Sequence, residues 1–152
     1  MKLVIKVVLA VVLVLFLSIQ FLPKEYNQSK KVQVNGIANV FKVPENVHAI
    51  LKRSCYDCHS NNTIYPFYSG IQPMRYIMDR HVAAGKEELN FDEFATYSPR
   101  RQRSRLRAIG ESLDEGSMPV ASYTLMHRNA MLSKEDTQLL KYWIRLTIDG
   151  LK

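Results

Sequence analysis

Cysteine is scarce in this chain: its 152 residues include only Cys55 and Cys58. A structural zinc site needs four ligands, so these two thiols cannot form one by themselves. The sequence also has no repeat, no low-complexity tract and, beyond its first segment, no run of alternating β-branched residues that would predict strands. Acidic residues number 14 against 21 basic ones, and the net charge of +7 favours acidic partners or anionic surfaces. The lack of strand signals predicts an all-α fold.

The first segment lacks charge over a long stretch. From Leu3 to Leu22 only Lys6, Ser18 and Gln20 interrupt the apolar residues. As a helix this segment would be roughly 30 Å long, about the thickness of the hydrocarbon core of a bilayer. A cleaved signal peptide would end in small residues in an A-x-A-like pattern, which is missing here, and no cysteine follows that would carry a lipid. The segment therefore predicts an uncleaved signal anchor, with a cleaved signal peptide as the alternative.

The residues after the apolar segment are polar and show no periodicity. The stretch K-E-Y-N-Q-S-K-K-V-Q-V-N-G predicts a tether that holds a domain off the membrane. About 130 residues remain beyond the apolar segment, which is enough for one compact domain. Lysines lie on both sides of the segment, so the positive-inside rule does not give the orientation of the chain.

Helix signals dominate the rest of the sequence. The stretch V-P-E-N-V-H-A-I-L-K predicts a short helix that runs into the cysteines. A second helix is predicted from Met74 to Ala84, with Gly85 as its stop. A third, short helix is expected near 91–96.

Two helices have clear signals at both ends. Ser98 caps a helix that Gly116 stops, and Pro99 suits its first turn. Ser133–Asp136 forms a capping box for the last helix. Long loops are expected between Cys58 and Met74 and between Gly116 and Ser133.

Both cysteines lie in R-S-C-Y-D-C-H-S-N-N-T, residues 53–63. A thioredoxin-like thiol pair needs C-x-x-C at the start of a helix that follows a strand, and the predicted helix here precedes the motif instead. A zinc site would have to recruit His48, His81 or His127, whose spacing is irregular. Neither of these interpretations explains the histidine directly after the second cysteine.

Covalent haem accounts for every residue of the motif. The thiols of Cys55 and Cys58 are spaced to form thioethers with the two vinyl groups of one porphyrin, and His59 then supplies an imidazole to the iron. The motif therefore predicts one haem c per chain. Attachment of this kind takes place outside the bacterial cytoplasm, so the domain is expected on the periplasmic side of the cytoplasmic membrane.

The second axial ligand of the iron is predicted to be Met118, in D-E-G-S-M-P-V. Gly116 allows the backbone to turn close to a porphyrin, and Pro119 restricts the approach of the methionine. His81 is the main alternative ligand, and Met118 would then be a gap-filling core residue. Weaker candidates are Met74, Met126 and His127. A methionine ligand opposite histidine raises the reduction potential and closes the iron to substrates, which suits electron transfer.

An aromatic loop follows the motif. Tyr65, Phe67 and Tyr68 are predicted to line the edge of the haem, with ordinary core packing as the alternative.

A basic stretch opens the helix after Ser98. Nucleic acid is excluded as its partner by the expected periplasmic location. A docking surface for an acidic redox partner or for anionic lipid headgroups, a contact to a haem propionate, and a solvated helix face remain open. The arginines concerned are Arg100, Arg101, Arg103, Arg105 and Arg107.

In combination, these motifs resemble the small bacterial haem-binding domain family of cytochrome c-like proteins. The resemblance covers about Pro44 to Ile148 and depends on S-C-Y-D-C-H-S-N-N-T, P-F-Y-S-G-I-Q-P, L-N-F followed by Y-S-P, and M-P-V-A-S-Y-T-L-M-H. Members often have tryptophan where this chain has Phe67. The resemblance implies haem binding, one C-x-x-C-H site and an N-terminal membrane segment.

We therefore expect a membrane signal anchor over residues 1–22, a polar tether over 23–41 and a cytochrome c-like haem-binding domain over 42–152. The predicted function is electron transfer by a membrane-anchored periplasmic c-type cytochrome, a carrier rather than a catalyst. The alternatives are a haem-based sensor or peroxidase-like enzyme with an open iron, and the haem subunit of a larger membrane redox complex.

Overall fold

The computed structural model describes residues 1–151, and over this range the chain is helical with no β-strands, as predicted. Lys152, the last residue of the predicted domain, lies outside the described residues. Three short 3₁₀ turns connect the helices, at Phe67–Gly70, Phe91–Thr96 and Arg128–Ala130. The α-helices are α1 (Lys2–Ile19), α2 (Ile37–Val40), α3 (Glu45–Ser54), α4 (Tyr56–His59), α5 (Met74–Glu88), α6 (Pro99–Glu115), α7 (Ala121–Met126) and α8 (Lys134–Asp149).

Helix α1 contains the apolar segment at the start of the chain. It is 18 residues long with a mean hydropathy of 2.7, and none of it is buried against the rest of the protein. Its length and composition are those of a membrane span, and a signal sequence near the N-terminus has the same properties.

The core of the domain lies where α3, α6 and α8 meet. Leu51 of α3, Leu106 of α6 and Leu140 of α8 are buried there together. Each of these helices has one apolar face, because its apolar residues recur every three to four positions. The core packing holds α3 in place and therefore fixes the cysteine motif at its C-terminal end.

The structure corrects two sequence-based boundaries. Gly85 does not stop α5, which continues to Glu88. The glycine instead allows close packing of the helix against another part of the chain. The stretch between Gly116 and Ser133 is not one long loop: it contains α7 and the Arg128–Ala130 turn. The predicted ends of α6 and α8 are confirmed, with Gly116 in the left-handed conformation at a φ of 63°.

The segment predicted as a tether, residues 23–41, packs against the domain. Ile37 is fully buried in the core. Asn27 and Thr63 are joined by a backbone hydrogen bond of 2.8 Å, and the side chain of Asn27 donates to the Ser60 carbonyl and to the Thr63 hydroxyl. The polar residues that follow the cysteine motif thus bind this segment, and it is not a free linker. The division of the chain at residue 41 stays a prediction.

A buried arginine fixes the same segment from its other side. The guanidinium of Arg75 lies between the rings of Tyr26 and Tyr65, 4.2 and 4.5 Å from their centroids. Its Nε donates to Asp79, and another nitrogen donates to the Glu25 carbonyl. Two aromatic faces and these hydrogen bonds offset part of the desolvation of the charge, while Nη1 is buried without a partner among residues 1–151. Residues 25 and 26 are therefore held against α5.

The start of α8 leads to a pH-dependent prediction. The Asp136 carboxylate accepts from the Ser133 backbone and from Arg53, and Asp136→Ala is expected to destabilise the protein by about 1 kcal/mol at pH 7. The Ser133 N–H and the nearby Arg53 charge lower the pKa of this carboxyl. A lowered pKa stabilises the fold above the unfolded value of about 3.9, and this stabilisation is lost as the pH falls through the folded value.

The difference in stability between wild type and Asp136→Ala should therefore be largest at pH 7 and become smaller below about pH 4. Thermal unfolding of the detergent-solubilised protein, followed by circular dichroism at both pH values, measures it. Glu135→Ala, at the exposed neighbouring position, is the matched control and should change stability little. A difference that does not vary with pH would contradict the assignment.

Candidate functional site

The cysteine motif spans the junction of two helices. Cys55 ends α3 and caps α4, while Cys58 and His59 form the last turn of α4. Both cysteines are unpaired and partly buried. Because the His59 backbone N–H donates to the Cys55 carbonyl at 3.0 Å, the two thiols and the imidazole are brought to one short turn.

The ring of His59 is oriented by the chain that follows α5. Its Nδ1 lies 3.1 Å from the Leu89 carbonyl oxygen. A carbonyl oxygen only accepts, so Nδ1 carries the proton and Nε2 keeps a free lone pair. Burial lowers the pKa of His59 below its usual value, which favours the neutral imidazole. A neutral ring with one nitrogen fixed by a backbone carbonyl is the form in which histidine binds a metal.

Both thiols are in environments that disfavour the thiolate. Burial raises the pKa of Cys55 to about 12, and burial together with Asp57 raises that of Cys58 to about 11. Thiols of disulfide exchange enzymes have lowered pKa values because the thiolate is the nucleophile. The arrangement therefore does not fit a redox thiol pair.

Two adjoining cavities border the motif. The first has a volume of about 230 Å³, and the second has a volume of about 220 Å³. Both are lined by Cys55, His59 and Met118, while Cys58 lines only the first. Met118 reaches them because Gly116 turns the chain at the end of α6. The two cysteines, the histidine and the methionine predicted from the sequence thus surround one space.

Ser54 tests whether this space fits a polar cofactor edge. Its side chain is buried and lines both cavities, yet its hydroxyl has no hydrogen-bond partner among residues 1–151. A buried hydroxyl without a partner is unfavourable by about 1–3 kcal/mol. A ligand that offers an acceptor would relieve it. Together with two unpaired thiols and a free imidazole nitrogen, this hydroxyl fits haem.

Gly85 brings α5 into direct contact with the motif. A Cβ atom built on it would lie 2.7 Å from the Cys58 carbonyl oxygen and 3.2 Å from the Cys58 Cβ. Only a residue without a side chain permits this approach. A glycine at this position predicts a helix stop, but an isolated glycine within a helical pattern also signals close packing.

Asp57, between the cysteines, ties the motif to α7. One carboxylate oxygen accepts from the Tyr123 hydroxyl at 2.7 Å, and the other accepts from the Ile64 backbone at 3.0 Å. Tyr123 lines the first cavity and follows Met118 by a few residues. The bond therefore connects the cysteine turn with the methionine segment, a role that sequence reasoning missed because nothing local marks the partner.

The remaining predicted residues divide into two groups. His81 lines the first cavity and, with Tyr68, a further cavity of about 90 Å³ that Cys58 also lines. Tyr65 packs on Arg75 and accepts from the Asn27 backbone, and Phe67 is 92% exposed. Neither Tyr65 nor Phe67 lines the two cavities beside His59, because the chain after the motif turns toward the segment that follows α1.

His48 and His127 lie outside the cysteine motif. Within residues 1–151, no three histidine, cysteine, aspartate or glutamate side chains are grouped as a metal-ion site. His48 packs edge-on against Tyr56 at 5.9 Å between ring centroids, and His127 stacks on Tyr123 at 4.2 Å. These two histidines are engaged with aromatic rings, and neither lines the two cavities beside His59.

The basic stretch of α6 is only partly engaged with the domain. Arg105 lines the second cavity and forms an ion pair of 2.8 Å with Glu88, which borders both cavities. Arg101 stacks on Tyr97 at 4.3 Å, and Arg103 donates to the Leu151 carbonyl. Arg100 and Arg107 line a shallow basic groove with Arg103.

Comparison with known families gives one match. The family model described as a haem-binding domain matches residues 14–146, which include the motif and both cavities. No curated protein and no solved structure matches the chain. The match supports haem as the ligand of this site.

Proposed function

The chain belongs to the haem-binding domain family, and from this premise we propose that it is a c-type cytochrome domain that carries electrons. The observation that carries the proposal is a single cavity lined by Cys55, Cys58, His59 and Met118. No other cysteine exists in the chain to compete for the attachment. One covalently bound haem per chain accounts for both thiols and the histidine.

Three features of the chain support this binding mode. His59 offers Nε2 to the iron because the Leu89 carbonyl holds Nδ1. Cys55 and Cys58 are free for thioether bonds. Ser54 has a buried hydroxyl that would donate to an acceptor group of the haem. When bound, the haem supplies an iron centre that changes its charge by one electron.

Electron transfer is favoured over catalysis by the methionine. Met118 lines both cavities with His59, and its sulfur and the imidazole would together hold the iron and leave it closed to other molecules. His81 lines only the first of these cavities and is the alternative ligand.

The proposed location is the periplasmic face of the cytoplasmic membrane. Helix α1 meets the length and hydropathy of a single span, and covalent haem attachment outside the cytoplasm sets the direction of the chain. A redox partner with an acidic surface would suit the groove of Arg100, Arg103 and Arg107.

The test uses the full chain produced with a c-type haem maturation system. After denaturing electrophoresis, haem staining should remain with the polypeptide, and the ratio of iron to protein should be one. The reduced protein should not bind carbon monoxide and should pass its electron rapidly to a soluble oxidant. Haem lost on denaturation would exclude covalent attachment. Carbon monoxide binding by wild type would favour the sensor or peroxidase-like alternative.

A further inference from the structure

An exposed apolar surface lies beside the end of α1. Ile64 is 78% exposed, and Met74 and Ile77 line the same cavity of about 90 Å³ as Ile64, with Cys58 at its wall. The ring of Phe67, 92% exposed, contacts that of Tyr68, which also lines this cavity. We call these residues, with Ile71, the Phe67 face. Their contiguity distinguishes them from singly exposed apolar side chains, which need no explanation.

Helix α1 is attached directly to the Phe67 face. The Gln20 side chain accepts from the Gln72 backbone at 3.0 Å and donates to the Gln72 carbonyl at 3.3 Å. The Lys24 ammonium donates to the Gly70 carbonyl. The last turn of α1 is thus bonded to the loop that carries Phe67 and Ile71.

This attachment is reinforced a few residues farther along the chain. Arg75, in the first turn of α5, is fully buried between Tyr26 and Tyr65 and donates to the Glu25 carbonyl. A movement of the Phe67 face away from the chain that follows α1 would therefore break this packing. The orientation of the face relative to α1 is fixed.

We propose that the Phe67 face lies in the headgroup region of the bilayer that α1 spans, with the Phe67 ring inserted toward the acyl chains. The inference rests on the proposed membrane anchoring. A span that ends near Ile19 places Phe21, Leu22 and the loop bonded to Gln20 at the membrane–water boundary. Aromatic and aliphatic side chains flanked by lysine are favourable at this depth. Lipid is the occupant because the loop that carries the face is hydrogen-bonded to Gln20, directly after the helix that would span the bilayer.

Photo-crosslinking to lipid tests the contact. Phe67 is replaced by p-benzoylphenylalanine in the full, haem-loaded chain, which is reconstituted in vesicles of phosphatidylethanolamine and phosphatidylglycerol. The matched control carries the same group at Tyr142, an exposed position on α8, which packs on α3 and α6. After illumination, lipid adducts on the peptide containing each position are measured by mass spectrometry.

The expected result is a severalfold higher yield of lipid adducts at position 67 than at position 142. Vesicle flotation of the same samples reports the anchor separately, and haem staining reports cofactor attachment. Protein that floats with no excess of adducts at position 67 overturns the docking while the anchor stands. Protein that does not float overturns both the anchor and the docking. Equal adducts at both positions also overturn the docking, because the added aromatic group alone would explain them.

Discussion

Gly85→Ala is expected to remove most of the covalently bound haem. The new Cβ would lie 2.7 Å from the carbonyl oxygen of Cys58 and 3.2 Å from its Cβ. Both contacts involve atoms that no side-chain rotation can move, so α5 or the cysteine turn must shift. Overpacking of this kind is unfavourable by about 1–3 kcal/mol, more than the 0.5–1 kcal/mol that alanine gains over glycine in a helix. Haem staining per unit of protein and urea unfolding measure both effects.

The matched control is Gly110→Ala on α6. Gly110 is also a glycine inside a helix, but a Cβ there would meet nothing within 4 Å. The same substitution should therefore stabilise the protein by roughly 0.5–1 kcal/mol and leave haem attachment unchanged. If both variants behaved alike, helix propensity and not the contact with Cys58 would govern position 85.

Met118→Ala is expected to open the iron to an added ligand. The reduced variant should bind carbon monoxide, and the oxidised variant should lose the far-red band of a methionine–iron bond. Its reduction potential should fall by on the order of 0.1 V, within the roughly 0.8 V over which axial ligands move haem potentials. Absorption spectra of the oxidised, reduced and gas-treated protein, with a redox titration, measure these changes.

His81→Ala is the control because His81 lines the first cavity but not the second. Its spectra and its response to carbon monoxide should match wild type. The opposite result, gas binding by His81→Ala and none by Met118→Ala, would make His81 the ligand. Met118 would then be a packing residue at the wall of the cavities.

Local signals in the sequence were sufficient to predict the features that depend only on neighbouring residues. The capping box of Ser133 and Asp136 and the left-handed Gly116 confirm the predicted ends of α8 and α6. The motif itself also needs only neighbouring residues. Cys55 and His59 are joined by backbone bonds within one turn, so their proximity follows from spacing alone.

Contacts between distant segments were not predictable in this way. The Leu89 carbonyl that orients His59 comes from a backbone whose position depends on how α5 packs, and no side chain marks it. The role of Gly85 was misassigned for the same reason. The loop that carries Phe67 is bonded to Gln20, and no local signal in the sequence marks this partner.

The contacts of Arg75 show why a polar segment was predicted as a linker although it packs against the domain. The stretch after α1 has the composition of a linker, but its backbone and tyrosine ring complete the surroundings of a charge that lies on α5. The packing of that stretch against the domain therefore depends on a residue about 50 positions away.

The docked segment limits how far the domain can travel. If residues 23–41 were a free linker, its end-to-end distance would be about 25 Å. The domain could then search a wide volume around its membrane anchor. Because Asn27 is bonded to Thr63 and Ile37 is buried, the segment is held against the domain and is not a free linker. Under the proposed function, encounters with a redox partner would then arise from lateral diffusion of the whole protein or from a mobile shuttle that visits it. The rate of electron delivery should accordingly scale with the concentration of the partner and be insensitive to lengthening of the chain between residues 29 and 35.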